Sequence, residues 1–231
     1  MKKVVGIGVN KNRLMIIKQY LALKKVVLRT DEQGENYMYN LKHHKPKDQV
    51  PSSFLVENIG KIDILEKPIL DIACGYERNG AFLAKNNHRV VFIDNDIECL
   101  KYIQTGEEIS KNKEVDMRYI RTLYKNLSSG KLPFPDNSVG GIIDIHYYNP
   151  LLVEEMIRVL DIGGVFCFES ISARGRNIYE LPDYYFIRHA MKNFEMISYF
   201  EKVIEPKSLC KSVTKIFGIK KEESVKLLKG C

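Results

Sequence analysis

One stretch of the sequence, ILDIACGYERNGAFLAKNNHRVVFIDND (residues 69–96), restricts the choice of fold more than any other. An apolar run of strand type ends in a turn of small residues, a helix-like segment follows, and a second apolar run ends in Asp94. A strand, a tight turn and a helix that begins at the turn form the nucleotide-binding unit of doubly wound sheets. An acid roughly 20 residues after the turn is placed to accept hydrogen bonds from ribose hydroxyls.

The same alternation continues to the end of the chain. We predict strands at residues 68–73, 89–94, 115–123, 139–148, 162–170, 194–204 and 211–219, with helices at 78–87, 96–112 and 151–160 among them. This order indicates an α/β fold: a Rossmann-like, doubly wound, mostly parallel sheet of seven strands with helices on both faces. The strand that ends at Ala73 is expected to be the central one.

The first 48 residues do not follow this alternation. They predict a strand-like run at residues 3–9, a helix over residues 11–23 and a hairpin around DEQGEN within residues 26–41. A polar segment with prolines then has the composition of a linker. We therefore predict an N-terminal extension and linker, residues 1–48, and a main domain, residues 49–231. Ser52 or Ser53 is expected to cap a short helix at the start of that domain.

The net charge of +7 is unevenly distributed along the chain. Residues 1–66 carry 12 Lys and Arg against 7 Asp and Glu, and residues 201–231 carry 8 against 4. The region between carries 16 against 18 and is close to neutral. A basic end can hold an acidic partner such as RNA, although a solvated surface is the more common role.

Several classes of protein are disfavoured by composition. No apolar run approaches the roughly 20 residues that span a bilayer, and the first residues lack the pattern of a signal peptide, so we expect a cytoplasmic protein with no membrane partner. The five cysteines form no CxxC pair, which favours reduced thiols. No metal-ligand spacing occurs, and no metal is predicted.

The first turn can be analysed from its residues alone. Ala73, Cys74 and Gly75 are small, which lets a backbone pass close to a ligand, and a helix starting near Arg78 offers free amide groups to an anion. A dinucleotide site would need G-x-G-x-x-G, and the turn, taken as A-C-G-Y-E-R, has no such set of glycines. The residues therefore predict a Rossmann-type nucleotide site and leave the nucleotide open.

Four motifs, in order and at their spacing, resemble the class I S-adenosylmethionine-dependent methyltransferases. They are D-I-A-C-G, I-D-N-D, LPFPDNSVGGIID and EEMIRVLDIGGVF, and the resemblance covers about residues 50–205. A smaller group is also similar, the small bacterial methyltransferases related to the tellurite-resistance methyltransferase. The segments that carry this second resemblance are PSSFLVENI, CGYERNGAFLA, HYYNPLL and FESISARGRNIYELPDYYFIR.

The resemblance implies S-adenosyl-L-methionine as cofactor and a set of residues around it. The implied cofactor-binding residues are Asp71, Ala73, Cys74, Gly75, Tyr76, Arg78, Asp94 and Asn95. Within this set Asp94 would bind the ribose hydroxyls and Asn95 would pack near adenine, while the loop would hold the methionine end. His146 and Tyr147 are implied as catalytic residues beside the sulfonium, and Glu169 and Arg174 at the rim of the acceptor pocket.

Three positions depart from the pattern of the family. Glu77 replaces the last glycine of the loop, adds bulk and must avoid a strained positive φ. Arg78 could neutralise it, or Glu77 could hold the amino group of the cofactor, and both alternatives stay open. Thr122 and Tyr124 stand where an acid is usual, although Tyr124 could stack on adenine.

The third departure is Gly140 and Gly141, which replace an aromatic residue and an aspartate. Losing two charge-assisted hydrogen bonds, at the third strand and at Gly141, would weaken cofactor binding by roughly tenfold to several hundredfold.

Three hypotheses of function follow. The first is a methyltransferase that acts on a small-molecule nucleophile. The Asp/Asn-Pro-Pro-Tyr/Phe motif of amino-group methylation is not found in the sequence, and YYNP has at best a weak likeness to it. The second is an RNA methyltransferase that uses the basic ends, although no RNA-binding motif supports it. The third is a binding protein with a degenerate methyltransferase fold, suggested by Glu77, Thr122 and Gly141.

Overall fold

Two separate sheets account for all the strands that the structure describes. The structure is a computed structural model that describes residues 2–3, 26–30, 36–40, 50–61, 66–105, 120–172, 186–203 and 212–221. The chain divides into two compact units, Met1–Lys45 and Pro46–Cys231. The boundary that we predict at residue 48 stays a prediction.

Among the described residues, the first unit contains three short strands, β1 (Lys2–Lys3), β2 (Val26–Thr30) and β3 (Asn36–Asn40). β3 lies between the other two and pairs antiparallel with both. The pairing of β2 with β3 is the one that the DEQGEN turn predicts. The helix expected over residues 11–23, and nearly all of the strand expected at residues 3–9, lie outside the described residues.

The second unit contains a sheet of seven strands and five helices among the described residues. The strands are β4 (Ile69–Ile72), β5 (Val90–Asp94), β6 (Ile120–Tyr124), β7 (Val139–Ile145), β8 (Leu160–Ser172), β9 (Phe194–Val203) and β10 (Ser212–Lys220). The helices are α1 (Ser53–Ile59), α2 (Arg78–Lys85), α3 (Ile97–Thr105), α4 (Pro150–Val159) and α5 (Phe186–Ala190). A short 3-10 turn, Leu127–Ser129, precedes β7.

The order of the strands across the sheet is β6-β5-β4-β7-β8-β10-β9. Strands β4 to β8 are parallel, whereas β10 runs antiparallel between β8 and β9. The predicted fold class is confirmed. The prediction that β4 is the central strand is wrong by one place, because β7 is fourth in the order and β4 third. The winding direction reverses between β4 and β7, where the chain returns from the edge strand β6.

Helices cover both faces of the sheet because both faces are apolar. Every residue of β4 and β7 is buried, as expected of parallel strands covered on both sides. Leu55, Leu83 and Ile103 bring α1, α2 and α3 onto one face. Met156 of α4 and Ile187 of α5 belong to the core of the opposite face. The sheet therefore lies between these two layers of helices.

Two predicted boundaries change for identifiable reasons. The strand expected over residues 139–148 ends at Ile145, because His146 adopts a left-handed φ of 66° that interrupts an extended chain. The helix expected to end at residue 160 ends at Val159, and Leu160 already belongs to β8. The predicted segments 96–112 and 115–123 are described only over α3 and β6.

A buried lysine holds the end of α4 against β10. Lys220 is 1 % exposed, and its Nζ donates hydrogen bonds to the carbonyl oxygens of Ile157 at 2.9 Å and Leu160 at 2.6 Å and to Asn137 Oδ1 at 2.8 Å. A cation at a helix C-terminus satisfies carbonyls that have no partner within the helix. The last strand is therefore tied to the helix that precedes β8.

Candidate functional site

The carboxyl ends of β4, β5 and β7 meet at the point where the winding reverses. In open α/β sheets this crevice is where ligands bind. Ile72 of β4 is registered with Ile93 of β5 and with Asp144 of β7. The turn after β4, the end of β5 at Asp94 and the residue after β7, His146, therefore emerge at the same edge.

The turn after β4, residues 73–77, is built from alternate left-handed residues. Ala73 has a φ of 51°, Gly75 of 55° and Glu77 of 62°. Residues with a side chain rarely adopt this region, which costs roughly 1–2 kcal/mol for each. Glu77 therefore does not avoid the positive φ. It is 1 % exposed, and its carbonyl oxygen accepts from the N–H of Ala81 at 2.7 Å as α2 begins.

Gly80 completes a glycine pattern that the sequence analysis missed. A Cβ placed on Gly80 would lie 2.2 Å from Phe92 Cε1 and 2.7 Å from Asp71 Oδ2, so only glycine lets α2 pack this closely on the sheet. The spacing of Gly75, Glu77 and Gly80 is that of G-x-G-x-x-G, in which the third glycine serves helix–strand packing. Only the middle glycine is replaced, by Glu77. The spacing of three residues from Glu77 to Gly80 is the feature of the sequence that could have revealed this pattern.

Asp71 fastens α2 to β4 from beneath the turn. Its buried Oδ2 accepts the N–H of Gly80 at 2.9 Å. Burial raises the pKa of Asp71 to about 8, the Gly80 hydrogen bond opposes the shift, and the charge of Asp94 adds to it. Asp71 thus holds a proton at neutral pH. Its predicted role at the methionine end stays a prediction, and the observed contact is structural.

Asp94 is the best-oriented acid of the site. It is 3 % exposed, its Oδ2 accepts the N–H of Gly75 at 2.9 Å, and its Oδ1 accepts the N–H of Asp96 at 2.8 Å. Each carboxylate oxygen has a further lone pair for another donor. Tyr124 of β6 is registered with Asp94 and is 61 % exposed, while Asn95 is exposed beside it.

The remaining loop residues divide between core and surface. Cys74 is buried, and burial, with the charges of Asp71 and Asp94, raises the pKa of its thiol well above the usual value, so it is a poor nucleophile. Tyr76 packs edge-on against Tyr102 of α3, with ring centroids 5.5 Å apart. Arg78 is half-buried as the first residue of α2.

On the acceptor side, the structure separates the two predicted catalytic residues. His146 is exposed, and its N–H donates to the carbonyl oxygen of Glu169 at 2.7 Å. Tyr147 is half-buried and packs against the core on the α4 face. Backbone strain at a strand end is a feature of functional sites, and His146 has it. Arg174 lies outside the described residues.

Glu169 is buried in a group of polar side chains, and its implied place at the rim of the acceptor pocket stays a prediction. Its Oε2 accepts from Ser52 Oγ at 2.5 Å, and its Oε1 lies 3.2 Å from Lys215 Nζ. The N–H of Ser52 donates to Asn79 Oδ1 at 2.9 Å. We call Ser52, Asn79, Glu169 and Lys215 the Ser52 cluster. Sequence reasoning missed Lys215, because only the antiparallel pairing of β10 with β8 places it opposite Glu169.

Two of the family-like motifs hold each other in place away from the crevice. Arg158 donates to both carboxylate oxygens of Glu155, at 2.9 and 2.8 Å, and to the carboxylate of Asp136. It also donates to the carbonyl oxygens of Leu132 and Phe134. The hydrogen bonds from Arg158 lower the pKa of Glu155. We call these five residues the Arg158 clamp, which joins LPFPD to α4.

The glycine substitutions in β7 lie far from the turn. Gly141 is registered with Ile69, the first residue of β4, and the N–H of Gly140 donates to the carbonyl oxygen of Pro68 at 2.9 Å. A Cβ on Gly141 would be 3.0 Å from both Ile69 and Val165. Gly141 is therefore in the first half of β7, away from the carboxyl ends of the strands, and its effect on cofactor binding stays a prediction.

Thr122 is likewise not the position of a missing acid at the edge of the crevice. It lies in the middle of β6, and its hydroxyl accepts from Gln104 Nε2 at 2.5 Å. The residue opposite Asp94 is Tyr124. The departure from the family pattern at the third strand is therefore confined to Tyr124 and the residues that follow it.

The part of the chain that the structure describes contains no group of three or more His, Cys, Asp or Glu side chains that could hold a metal ion. Cys74, Cys99 and Cys167 are free and buried.

No helix among the described residues is long and apolar enough to cross a bilayer.

Comparison with known proteins gives the fold. No family model and no curated protein matches the sequence. TehB from Haemophilus influenzae, a tellurite-resistance methyltransferase, is similar in structure with a TM-score of 0.59 at 12% identity, over 85% of this chain and 87% of that one. A geranyl diphosphate C-methyltransferase from Streptomyces coelicolor, solved with S-adenosylhomocysteine, has a TM-score of 0.56 at 12% identity, over 72% and 76%.

A third similar structure is titled a [4+2]-cyclase, SpnF, with a TM-score of 0.54 at 11% identity, over 72% of this chain and 83% of that one. Identities this low establish the fold alone. The second unit has the fold of the class I S-adenosylmethionine-dependent methyltransferases. The cyclase shows that proteins of similar structure are named for more than one reaction.

Proposed function

We propose that this chain is an S-adenosylmethionine-dependent methyltransferase that transfers a methyl group to a small-molecule nucleophile. The observation that carries the proposal is the buried carboxylate of Asp94. It stands at the reversal point of the sheet and accepts the N–H of Gly75 from the turn after β4. An acid in this place, in a sheet of this strand order, is suited to a nucleoside ribose.

The residues of the turn fit the cofactor in three respects. Asp94 keeps acceptor capacity on both carboxylate oxygens. An added Cβ on Gly75 would meet nothing within 4 Å, so the space beside the turn is open. The first turn of α2, eight residues long, presents the positive end of a helix, which favours a carboxylate. Glu77, buried and at positive φ, is the feature of the turn that departs from this fit.

The proposed roles follow from these positions. Asp94 accepts from the ribose hydroxyls, Tyr124 offers an exposed ring for stacking on the base, and the start of α2 takes the carboxylate of the amino-acid end. When bound, the cofactor supplies a methyl group activated by a positively charged sulfonium. The protein then contributes mainly position and electrostatics. His146 is the residue placed to accept a proton from an acceptor that needs to lose one.

The hydrogen bonds that Asn149 makes within the protein support a small-molecule acceptor. In the motif of amino-group methylation the corresponding Asp or Asn side chain would be available to the acceptor. In YYNP it is occupied, because Asn149 Oδ1 accepts the N–H of Leu151 at 3.0 Å and its Nδ2 donates to the carbonyl oxygen of Leu127 at 2.8 Å. Asn149 is the cap of α4, and Pro150 begins that helix.

A second candidate is a protein that binds the nucleotide without methyl transfer. Glu77 favours it, since a buried glutamate in a left-handed conformation replaces the glycine that brings the backbone close to the ligand. An RNA acceptor stays a prediction from the basic ends, which lie largely outside the described residues.

The formation of S-adenosylhomocysteine from S-adenosylmethionine tests the proposal. The protein would be incubated with a panel of small nucleophiles of different chemistry, namely thiols, phenols and oxyanions of metalloids, and the product quantified by mass spectrometry. We expect product that requires both protein and acceptor and that is lost in Asp94→Ala. Tight cofactor binding without product from any acceptor would favour the second candidate.

A further inference from the structure

The Ser52 cluster joins the cofactor side of the crevice to the acceptor side. Glu169 lies on β8 between its two neighbouring strands, opposite Ile145 of β7 and Lys215 of β10. Its carbonyl oxygen accepts the N–H of His146, and its carboxylate accepts from Ser52 and lies in ion-pair range of Lys215. The same residue therefore contacts the strand end that carries His146 and the segment that precedes α1.

Ser52 connects Glu169 to the first turn of α2. Its hydroxyl donates to Glu169 and, as the cap of α1, accepts the N–H of Leu55 at 3.5 Å. Its own N–H donates to Asn79, the second residue of α2. Ser52, Asn79 and Glu169 are each less than a tenth exposed. Hydrogen bonds buried in this way are stronger than exposed ones, and their loss leaves polar groups without partners.

Lys215 is held on two sides within the cluster. Its Nζ lies 3.2 Å from Glu169 Oε1 and 5.5 Å from the centre of the Phe54 ring in α1. The lysine therefore compensates the charge of Glu169 and leaves the second carboxylate oxygen to Ser52. Because Phe54 and Ser52 are both on or beside α1, the cluster fixes the start of this helix over β8 and β10.

We infer that Ser52 is a positioning residue that holds the first turn of α2 in the geometry that binds the amino-acid end of the cofactor. The inference rests on the proposed function. Removing the hydroxyl leaves Glu169 with Lys215 alone and frees the backbone of Ser52, so Asn79 loses a fixed partner. Asp94 accepts the N–H groups of Gly75 and Asp96, neither of which belongs to the Ser52 cluster. The loss therefore falls on the amino-acid end and spares the nucleoside.

Two ligands that differ only in the amino-acid end give a direct test. S-adenosylhomocysteine carries that end, and 5′-methylthioadenosine does not. In Ser52→Ala we expect the dissociation constant of S-adenosylhomocysteine to rise roughly tenfold, the equivalent of about one net hydrogen bond. That of 5′-methylthioadenosine should stay within about twofold. Ser52→Thr, which keeps a capping hydroxyl, should restore the affinity, and Ser53→Ala, at the exposed neighbouring position, should match wild type.

An equal loss for both ligands, or no loss for either, would overturn the inference. Amide hydrogen exchange of the ligand-free protein separates it from the proposed function. In Ser52→Ala, faster exchange at residues 78–81 as well as at residues 50–58 supports the coupling between Ser52 and α2. This holds even if wild type binds neither ligand. Absence of binding to wild type would reject the proposed cofactor and not the coupling. Faster exchange confined to residues 50–58 would contradict the coupling.

Discussion

The turn after β4 and the Arg158 clamp both come from family-like motifs, yet they are built in opposite ways. In the clamp, the guanidinium of Arg158 meets two carboxylates and two carbonyl oxygens, and the pKa of Glu155 is lowered by its hydrogen bonds to Arg158. In the turn, Asp71 and Asp94 are buried near each other, and the charge of Asp94 helps to raise the pKa of Asp71.

The backbone of the turn is also more strained than that of the Arg158 clamp. Ala73 and Glu77 of the turn are non-glycine residues at positive φ, whereas the clamp adds one such residue nearby, Asn137, at the end of its loop. Strained backbone and buried carboxyl groups with a raised pKa are features that cluster at functional sites. The contrast teaches that a motif alone does not separate a structural element from a binding element. The balance of its charges and the strain of its backbone are what support the proposed binding role of the turn.

The largest effect that the comparison predicts is the loss of the clamp. Arg158→Ala leaves the buried carboxylate of Glu155 with only the exposed Lys131, 3.9 Å away, and the N–H of Leu132. We expect the free energy of unfolding to fall by about 3 kcal/mol in urea titrations. Arg158→Lys should lie between this variant and wild type, because lysine cannot form the paired hydrogen bonds. A loss below about 1 kcal/mol for Arg158→Ala would show that the clamp contributes little to stability.

A smaller loss is expected where α2 meets the sheet. Gly80→Ala places a methyl group against Phe92 and Asp71, and should lower the free energy of unfolding by about 2 kcal/mol. Gly75→Ala, where the space is open, should cost only the left-handed conformation, about 1 kcal/mol. Equal losses for the two variants would contradict the packing role of Gly80. Thermal and urea unfolding measure both.

The buried acid beneath the turn predicts a dependence on pH. The folded-state pKa of Asp71 is raised from 3.8 to about 8, so its contribution to stability is fully present below pH 3.8 and is lost as the pH rises through 8. Asp71→Asn removes this titration. We expect the stability of wild type relative to Asp71→Asn to fall between about pH 4 and pH 8 and to change little at higher pH. A difference that is constant over this range would place the ionisation elsewhere.

The smallest effect concerns Glu77, where strain and charge can be separated. Glu77→Gly relieves the left-handed conformation, whereas Glu77→Ala keeps it and removes only the carboxylate. We expect the glycine variant to be more stable than the alanine variant by about 1 kcal/mol. If the side chain narrows the cofactor turn, both variants should bind S-adenosylhomocysteine more tightly than wild type. Weaker binding in both variants would indicate that the carboxylate of Glu77 binds the cofactor.

The alternation of strands and helices could be predicted from the sequence because each element carries its own periodicity. Buried strands such as β4 are largely apolar runs. α4 begins at an Asn-Pro pair and α2 ends at Asn86, residues that mark helix boundaries. The contact pattern of β10 could not be predicted in this way. Its pairing with β8 joins residues 46 positions apart, Glu169 and Lys215, and no local pattern encodes such a distance.

The site was predicted less completely than the fold. Asp94 and the small residues before it follow from the motif, and Gly80 was missed because the pattern was aligned to begin at Ala73 instead of Gly75. The backbone of His146 and the burial of Glu169 depend on how three strands end together, which is a property of packing. Ser52 could be named as a cap, but its second bond to Glu169 could not.

The most direct test of the central claim is a calorimetric titration of S-adenosylhomocysteine into wild type, Asp94→Ala and Asp96→Ala. We expect micromolar binding to wild type and a loss of roughly a hundredfold or more in Asp94→Ala, because the two hydrogen bonds from the ribose hydroxyls to the carboxylate disappear. Asp96→Ala keeps the backbone N–H that orients Asp94 and should bind nearly as well as wild type. No binding to wild type up to millimolar concentrations, or equal binding to Asp94→Ala, would contradict the claim that this turn is a cofactor site.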